Sequence, residues 1–553
     1  MTATGTRAAG AAAAAAGLAL GLLALGPGLD PGFLLSYDMV AVPRQPFTPA
    51  MFGLSGGPAR AVPSDAVLAA LSQAVPGDVA QKVLLLTVFV LASTGAAALL
   101  RAEPWFARLA AGVFYTWNPF VAERLIIGQW ALLLGYAGLP WALRAVTAGP
   151  VASWRGGGRL LGALLPAAAG GFAAMSLSAL VVLPAAVFSR ACSGRRRLAA
   201  GATALAVLGT CSLPWLIPSL LRPVYADPAG VAAFAARADT PFGSLGSLVM
   251  LGGIWNAEAV PRGYGGGWSA VWLVFAAAAV AGYVVFGVPR RRWPGLGIAA
   301  VAGLVIAALG TTAAGRDLLR AMSAGWPGFA VLRDGQQFAA PLALAEALGA
   351  GLAAAWAARG RPAAGGHGSG QRPPAARPGE RQRADRPGLA IAVATLLAPL
   401  VLLPGLAWGA AGRLRPASYP SAWLHAASVI DSSRARGSVL LLPWAAYREP
   451  PWNGGRTVLD PWPRLVARTV IWNSGVRVGP VQMQPDDQAA RRLNGVLSRG
   501  GPLTAALTAA GVRFVIADSG PLASREGAGT RLPGCRVVIA APGLTVYQVP
   551  AAR

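Results

Sequence analysis

Long apolar runs separated by short polar or arginine-containing segments recur along most of the 553-residue chain. A helix needs about 20 apolar residues to cross the hydrocarbon core of a bilayer, and most of these runs approach that length. The pattern predicts a polytopic α-helical membrane protein with about eleven spans. The predicted spans are 9–27, 83–100, 106–121, 128–146, two short spans within 160–189 that break near Gly170 and Gly171, 198–220, 268–287, 295–313, 337–357 and 389–410.

The arginine clusters between these runs predict the orientation of the chain. Two spans within 160–189 keep Arg195–Arg197 on the same side as Arg290–Arg292, and basic loops are typical of the cytoplasmic side. The N-terminus is then cytoplasmic, and the outer side receives the loops 28–80, 222–267 and 314–336. We expect residues 1–358 to form a transmembrane core of about ten spans in the plasma (inner) membrane.

The last third of the chain differs in pattern. Residues 359–388 are rich in Pro, Gly and Arg without apolar periodicity, which predicts a disordered basic cytoplasmic linker before the last span at 389–410. Residues 411–553 contain short β-branched runs bounded by Gly, Pro or Asp, and 486–510 has helical spacing. We expect 411–553 to form a small α/β domain outside the cell. The runs are SVLLLPW, GVRFVIAD, CRVVIA and LTVYQVP.

Composition supports the membrane assignment and excludes other classes. The chain is 55% hydrophobic and 12% charged, whereas soluble proteins have about 25% charged residues. The net charge of +26 lies largely in loop arginines, so it does not indicate nucleic-acid binding. Three cysteines in different compartments predict no disulfide, and two scattered histidines indicate no metal site, although a need for a divalent cation stays open.

A group of four polar residues interrupts the apolar stretch Tyr115–Trp141: Asn118, Glu123, Arg124 and Gln129. Proline disfavours helical dihedrals in the residue before it, so Asn118-Pro119 is expected to end one helix of a hairpin whose tip carries Glu123 and Arg124. Charges at membrane depth persist mainly where they face a partner or a cavity. Arg124 is a candidate donor-phosphate ligand and Glu123 a candidate for orienting a hydroxyl, with Asn118 and Gln129 in support. The alternative is an ion pair that closes the bundle.

Asp38 is the strongest candidate for a catalytic residue. It follows the first span in the apolar segment SYDMVAVP, where a carboxylate at an interface of low dielectric can act as a general base on a sugar hydroxyl. A solvated loop aspartate or a helix N-cap is the alternative.

Further candidates lie on the predicted outer side. Arg333 and Asp334, in VLRDGQQF, precede the span at 337–357, and Arg333 suits phosphate unless it is a snorkelling interfacial residue. Glu346, deeper in that span, is interpreted as structural. Four tryptophans offer flat faces for sugar stacking or, alternatively, anchor the chain to the bilayer interface. They are Trp444, Trp452, Trp462 and Trp472.

The segments LSYDMVAVP, NPFVAERLIIGQW and LRDGQQF, with the closing GVRFVIAD and LTVYQVP, resemble the GT-C glycosyltransferase superfamily. The resemblance is to its actinobacterial members, which include arabinofuranosyl- and mannosyltransferases of the cell envelope. It implies a polyprenyl-phosphate sugar as donor, an envelope glycan or glycolipid as acceptor, and an acidic residue of the first outer loop as base, which corresponds to Asp38.

The resulting hypothesis is sugar transfer at the outer face of the membrane. The first alternative is a transporter or flippase for a lipid-linked glycan, which internal repeats would support, and none is evident in the sequence. The second is a non-catalytic scaffold that presents residues 411–553 to envelope enzymes.

Overall fold

The computed structural model describes residues 3–55, 61–188, 194–222, 225–359, 386–519 and 530–551. Helices dominate the part before residue 412. They are α1 (Ala3–Leu25), α2 (Ser64–Ala74), α3 (Gly77–Leu99), α4 (Trp105–Thr116), α5 (Pro119–Ile126), α6 (Trp130–Thr147), α7 (Trp154–Gly170), α8 (Phe172–Val187), α9 (Gly194–Leu221), α10 (Gly230–Ala233), α11 (Gly243–Val249), α12 (Ser269–Gly282), α13 (Leu296–Leu309), α14 (Ala313–Gly325), α15 (Ala340–Ala357), α16 (Arg386–Leu402) and the left-handed turn α17 (Ala407–Gly412). The predicted linker 359–388 falls almost entirely outside the described residues.

The C-terminal part adds short helices and a sheet. The helices are α18 (Ser421–Ser432), α19 (Trp462–Leu465), α20 (Gln488–Ser498) and α21 (Thr504–Ala509). The strands are β1 (Phe33–Leu34), β2 (Pro416–Ala417), β3 (Ser438–Leu442), β4 (Tyr447–Arg448), β5 (Val458–Leu459), β6 (Val470–Ile471), β7 (Arg477–Val478), β8 (Val481–Gln482), β9 (Val512–Ala517), β10 (Arg536–Ala541) and β11 (Leu544–Gln548).

Helices occur at every predicted span, but fewer than eleven are long and apolar enough to cross a membrane. Five helices meet that test among the described residues, and seven do if each of two bent pairs counts as one span. The predicted span 295–313 is wrong at its end, because α13 stops at Leu309 and α14 turns away by 96°. The Thr312 hydroxyl accepts a hydrogen bond from Gly315 N and so starts α14 as a separate helix. The predicted last span is likewise bent, by 56°. The chain is a multi-pass membrane protein, and its span count stays a prediction.

The break predicted near Gly170 and Gly171 occurs between α7 and α8. Gly171 has φ +82° and ψ −153°, a backbone region that is essentially restricted to glycine. A Cβ atom at this position would lie 2.6 Å from the carbonyl oxygen of Val62. Glycine therefore permits both the reversal of the chain and the close contact with the first loop.

Ion pairs fix the two ends of α15 against its neighbours. At one end, the carboxylate of Glu103, just before α4, lies 2.6 Å from Arg292 and 2.6 Å from Arg359. At the other end, Asp334 lies 3.0 Å from Arg124 of α5. The helices α4 and α15 therefore run in opposite directions, with the arginine cluster 290–292 at one end of the bundle and α5 at the other.

The C-terminal sheet has the strand order β10-β11-β9-β3-β6. Strand β3 pairs in parallel with both β9 and β6, and the other pairs are antiparallel. The four predicted strand segments supply β3, β9, β10 and β11, and alternate residues face two apolar clusters on opposite sides of the sheet. Strand β1 of the first loop pairs with β2, which joins this loop to the C-terminal part.

We expect Gly171→Ala to lower the free energy of unfolding by about 1–3 kcal/mol, because alanine tolerates this backbone region poorly. The measurement is the thermal unfolding of the purified protein in detergent. Gly162→Ala is the matched control, since Gly162 lies inside α7 with open space around it and alanine is favoured in helix interiors. Equal melting temperatures for the two variants would contradict this account.

Candidate active site

The site is built on α5, the short helix between α4 and α6. Its N-cap is Asn118, whose side-chain oxygen accepts a hydrogen bond from Val121 N at 3.1 Å. The Asn118 amide donates to Phe114 O at 2.9 Å and to the Tyr136 hydroxyl at 3.1 Å. Asn118 therefore shapes the backbone around the site. All of Pro119–Ile126 is buried, so the predicted hairpin tip that carries Glu123 and Arg124 is enclosed by other parts of the chain.

Arg124 forms the central ion pair of the site. Its side chain has no exposed surface, and it donates to Gln129 at 2.6 Å and to Asp334 at 3.0 Å. The guanidinium is enclosed and already paired with Asp334, and the predicted contact of Arg124 with a donor phosphate stays a prediction. Its geometry is that of the alternative interpretation, an ion pair that closes the bundle.

Glu123 lies beside this pair and is fully buried. It accepts a hydrogen bond from Gln336 at 3.1 Å, and the carboxyl of Asp239, in the loop before α11, is close enough to influence its charge. Burial raises the pKa of Glu123 well above its usual range, and the charge of Asp239 raises it further while Arg124 opposes the shift. Burial also raises the pKa of Asp239, although the backbone N–H groups of Gly253 and Ile254 donate to its carboxylate. Both pKa shifts favour a proton on this pair of carboxyls.

Asp38 lies at the other end of α5, in a tight turn closed by hydrogen bonds between Ser36 and Met39. Its backbone N–H donates to Ile127 O at 3.0 Å. Tyr37 has φ +47° at the first central position of the turn, where glycine is the usual residue. Such backbone strain costs on the order of 1–3 kcal/mol and clusters at functional sites. Asp38 is half-buried and is not a helix N-cap.

The close fit between this turn and the bundle depends on Gly128. This residue has φ +84°, and a Cβ atom on it would lie 2.1 Å from Met39 N. Any larger residue would push the Asp38 turn away from the end of α5.

Two residues from distant parts of the chain contact the Asp38 turn, Tyr447 at Asp38 itself and Glu258 at Tyr37. The hydroxyl of Tyr447, on β4, donates to the Asp38 carboxylate at 2.5 Å. The hydroxyl of Tyr37 donates to Glu258, an exposed carboxylate of the loop before α12. Burial and this hydrogen bond raise the pKa of Tyr37 to about 12, so it stays protonated. The structure thus places a second carboxylate next to the Asp38 turn.

Arg333 directly precedes Asp334, and its side chain points toward Phe234. Its guanidinium lies 4.7 Å from the centre of the Phe234 ring. It lines a small cleft together with Asp227, Ser474 and Asp486, between the loop before α10 and the C-terminal part. A second small cleft, lined mostly by apolar side chains that include Val40, Leu84 and Trp130, lies close to the Asp38 turn.

The four tryptophans lie in the C-terminal part, and one of them is packed away from solvent. Trp462 is fully buried and stacks on Trp423 at 4.6 Å, so the prediction that it binds a sugar face is corrected. Trp452 packs against Trp423 at 5.2 Å. Trp444 donates to Asn494 at 2.8 Å, and Trp472 borders the same apolar cluster as Trp452. Only Trp444, Trp452 and Trp472 are partly exposed among these four.

The structure brings most of the predicted site residues to one end of the bundle. Arg124, Gln129 and Asp334 form one hydrogen-bonded group, Glu123 lies beside it on α5, and Asp38 contacts the end of α5 through its backbone N–H. Sequence reasoning missed the partners of this group that other segments supply. They are Gln336, Asp239, Glu258 and Tyr447. Gln336 lies in the quoted segment LRDGQQF, whereas the others carry no motif.

The part of the chain that the structure describes contains no group of three or more His, Cys, Asp or Glu side chains able to hold a metal ion.

Glu346 is fully buried in α15, and neither of its carboxyl oxygens has a hydrogen-bond partner among the described residues.

Comparison with known proteins identifies the fold. The structure matches that of the arabinofuranosyltransferase AftD from Mycobacteria with a TM-score of 0.56 over 99% of this chain, at 17% sequence identity. The chain has an AftD-like fold. Two structures of a single-site variant of AftD match equally, with TM-scores of 0.56 and 0.55 and identities of 17% and 16%. No protein-family model and no curated protein sequence matches the chain.

The likeness to AftD covers only part of that protein. The chain spans 40%, 42% and 41% of the three AftD chains, while 99% of its own length is aligned in each case. The predicted resemblance to the GT-C superfamily is therefore confirmed for the fold.

We expect Glu123→Gln to flatten the dependence of stability on pH. The pKa of Glu123 is raised in the folded protein, so the folded protein keeps a proton on Glu123 above pH 4.5, where the unfolded chain loses it. The stability that this proton contributes is fully present below pH 4.5 and is lost as pH rises toward the raised pKa of the folded protein. Glutamine keeps the hydrogen bonds and removes the titration. The wild-type free energy of unfolding should fall more steeply with pH than that of the variant, by up to about 1.4 kcal/mol per pH unit.

The measurement is the melting temperature between pH 4.5 and 8, with Glu449→Gln as an exposed control. Parallel curves for the wild type and Glu123→Gln would show that Glu123 does not hold this proton.

Proposed function

We propose that this protein is a membrane glycosyltransferase that transfers a sugar from a polyprenyl-phosphate donor to a cell-envelope glycan or glycolipid at the outer face of the membrane. The observation that carries the proposal is the strained turn that presents half-buried Asp38 at the end of α5, in a fold shared with an arabinofuranosyltransferase. A polyprenyl-phosphate pentofuranose is the first donor to test, because AftD is named for arabinofuranosyl transfer.

The reaction is an inverting displacement. The Asp38 carboxylate takes the proton of an acceptor hydroxyl, and the hydroxyl oxygen attacks the anomeric carbon of the donor. The bond between that carbon and the phosphate oxygen breaks, and polyprenyl phosphate leaves with the bonding electrons. No nucleotide site is required, since the donor arrives in the bilayer.

Arg333 is the proposed ligand of the donor phosphate. Its half-buried guanidinium borders a cleft at the same end of the bundle as Asp38, and arginine matches phosphate with two parallel donors. The mostly apolar cleft at Val40, Leu84 and Trp130 is a candidate contact for the prenyl chain. In this arrangement Arg124 has a structural role, since its charge is neutralised by Asp334.

The topology follows from the same arrangement. The first loop, α5 and the C-terminal sheet meet at one end of the bundle, and Glu103 gathers Arg292 and Arg359 at the other. With the basic end in the cytoplasm, the N-terminus is cytoplasmic and the C-terminal part, together with Asp38, lies outside.

We expect Asp38→Asn to lower kcat for sugar transfer by about 100-fold or more, because a general base is lost while the side-chain shape is kept. The assay follows transfer from a polyprenyl-phosphate pentofuranose to an envelope glycan by the protein in nanodiscs. Asp30→Asn is the matched control, an exposed aspartate of the same loop, and should keep wild-type activity. A fully active Asp38→Asn variant would remove Asp38 from the mechanism, and a wild type that binds the donor without transferring the sugar would favour the transporter or scaffold alternatives.

We expect Arg333→Gln to raise the KM for the donor about tenfold or more, because hydrogen bonds to charged groups are each worth about 1.5–3 kcal/mol. The control is Arg320→Gln, an exposed arginine of α14 paired with Asp317. An unchanged KM in Arg333→Gln would place the phosphate elsewhere.

A further inference from the structure

Tyr447 connects the C-terminal part directly to Asp38. Its hydroxyl donates a 2.5 Å hydrogen bond to Asp38 Oδ1 across a sequence separation of 409 residues. Its ring packs edge-on against the ring of Tyr37, with the two centres 6.1 Å apart. The position of the hydroxyl is therefore defined by a contact at each end of the side chain.

The backbone around Tyr447 holds the Asp38 turn as well. Strands β4 and β5 form an antiparallel ribbon in which Tyr447 lies opposite Leu459. Tyr37 N donates to Thr457 O at 2.8 Å, and Leu459 N donates to Tyr37 O at 2.8 Å. The turn thus adds to the edge of the ribbon, and main-chain bonds set its distance from Tyr447.

A buried ionic cluster anchors this ribbon. Arg448, the residue after Tyr447, lies 2.8 Å from Asp460 and is also paired with Asp518 of the segment after β9. Both carboxylates are buried, and Asp460 also accepts the backbone N–H of Trp462. Because a buried cation with two carboxylates has little freedom to move, the backbone of Tyr447 is held rigidly against the sheet.

We propose that Tyr447 is a positioning residue for Asp38, so that the β4–β5 ribbon forms part of the transfer site. This inference rests on the proposed role of Asp38 as general base. The hydroxyl keeps its own proton throughout and donates it in a hydrogen bond to the carboxylate, which aims the carboxylate and favours its ionised form. Rigid support of this kind sets how accurately a catalytic group meets its substrate. The C-terminal part is then a component of the active site and not only an attached binding module.

The test compares Tyr447→Phe with Tyr419→Phe. Tyr419 is a matched control, because its hydroxyl also ties the C-terminal part to the first loop, through Ala41 O at 2.9 Å, without contacting Asp38. For Tyr447→Phe we expect kcat to fall about tenfold, the loss of one hydrogen bond to a charged group, with the KM for the donor unchanged. The acid limb of the pH–rate profile should also move to higher pH, because the ionised carboxylate loses a donor.

For Tyr419→Phe we expect a lower melting temperature and an unmoved pH–rate profile. If Tyr447→Phe behaves as Tyr419→Phe does while Asp38→Asn is inactive, the positioning role is overturned and the proposed function stands. If Asp38→Asn is fully active, or if the wild type transfers no sugar, the proposed function fails and the role of Tyr447 fails with it. A shifted acid limb in Tyr447→Phe alone supports the inference.

Discussion

The ion pair between Arg124 and Asp334 is the interaction on which the arrangement of the site depends. Transferring a guanidinium and a carboxylate out of water costs several kcal/mol for each ion, and only close pairing with further hydrogen bonds repays that cost. Arg124 has no exposed surface, so its position is restricted to the place where Asp334 and Gln129 can reach it. This pair sets α5 against the start of α15, and the Asp38 turn and the loop of Asp239 are then built against α5.

The neighbouring acids are governed by the same cost. Glu123 and Asp239 are packed together beside a cation that is already neutralised, so two negative charges would be poorly compensated. A proton on Glu123 reduces the charge of the two carboxyls to a single unit on Asp239, to which the backbone N–H groups of Gly253 and Ile254 donate. Among the described carboxylates of the predicted site, only Asp38 is both half-buried and hydrogen-bonded to a tyrosine. The buried acids Glu123 and Asp239 therefore stabilise the bundle, whereas Asp38 is the acid proposed to take part in the reaction.

Local signals in the sequence were sufficient for much of the fold. The break at Gly171, the end of α4 before Asn118-Pro119 and the strands around Val439, Phe514 and Val546 all follow from short-range preferences of the backbone and from periodicity. The bend after Leu309 has a local cause in Thr312, but an apolar run hides it. The site was predictable only in part. Asp38, Glu123 and Arg124 stand out because charge is rare in this chain, whereas Asp239 and Tyr447 are ordinary loop and strand residues whose importance arises from tertiary contacts.

The 409-residue separation between Asp38 and Tyr447 has a consequence for biosynthesis. Asp38 leaves the ribosome behind the first apolar helix, whereas its tyrosine partner is made only after the apolar helices up to α16. A nascent or truncated chain can therefore insert into the bilayer with the turn present but unsupported. The turn reaches its final geometry only when the C-terminal sheet has folded against it, so this centre matures only after that sheet has been synthesised and folded.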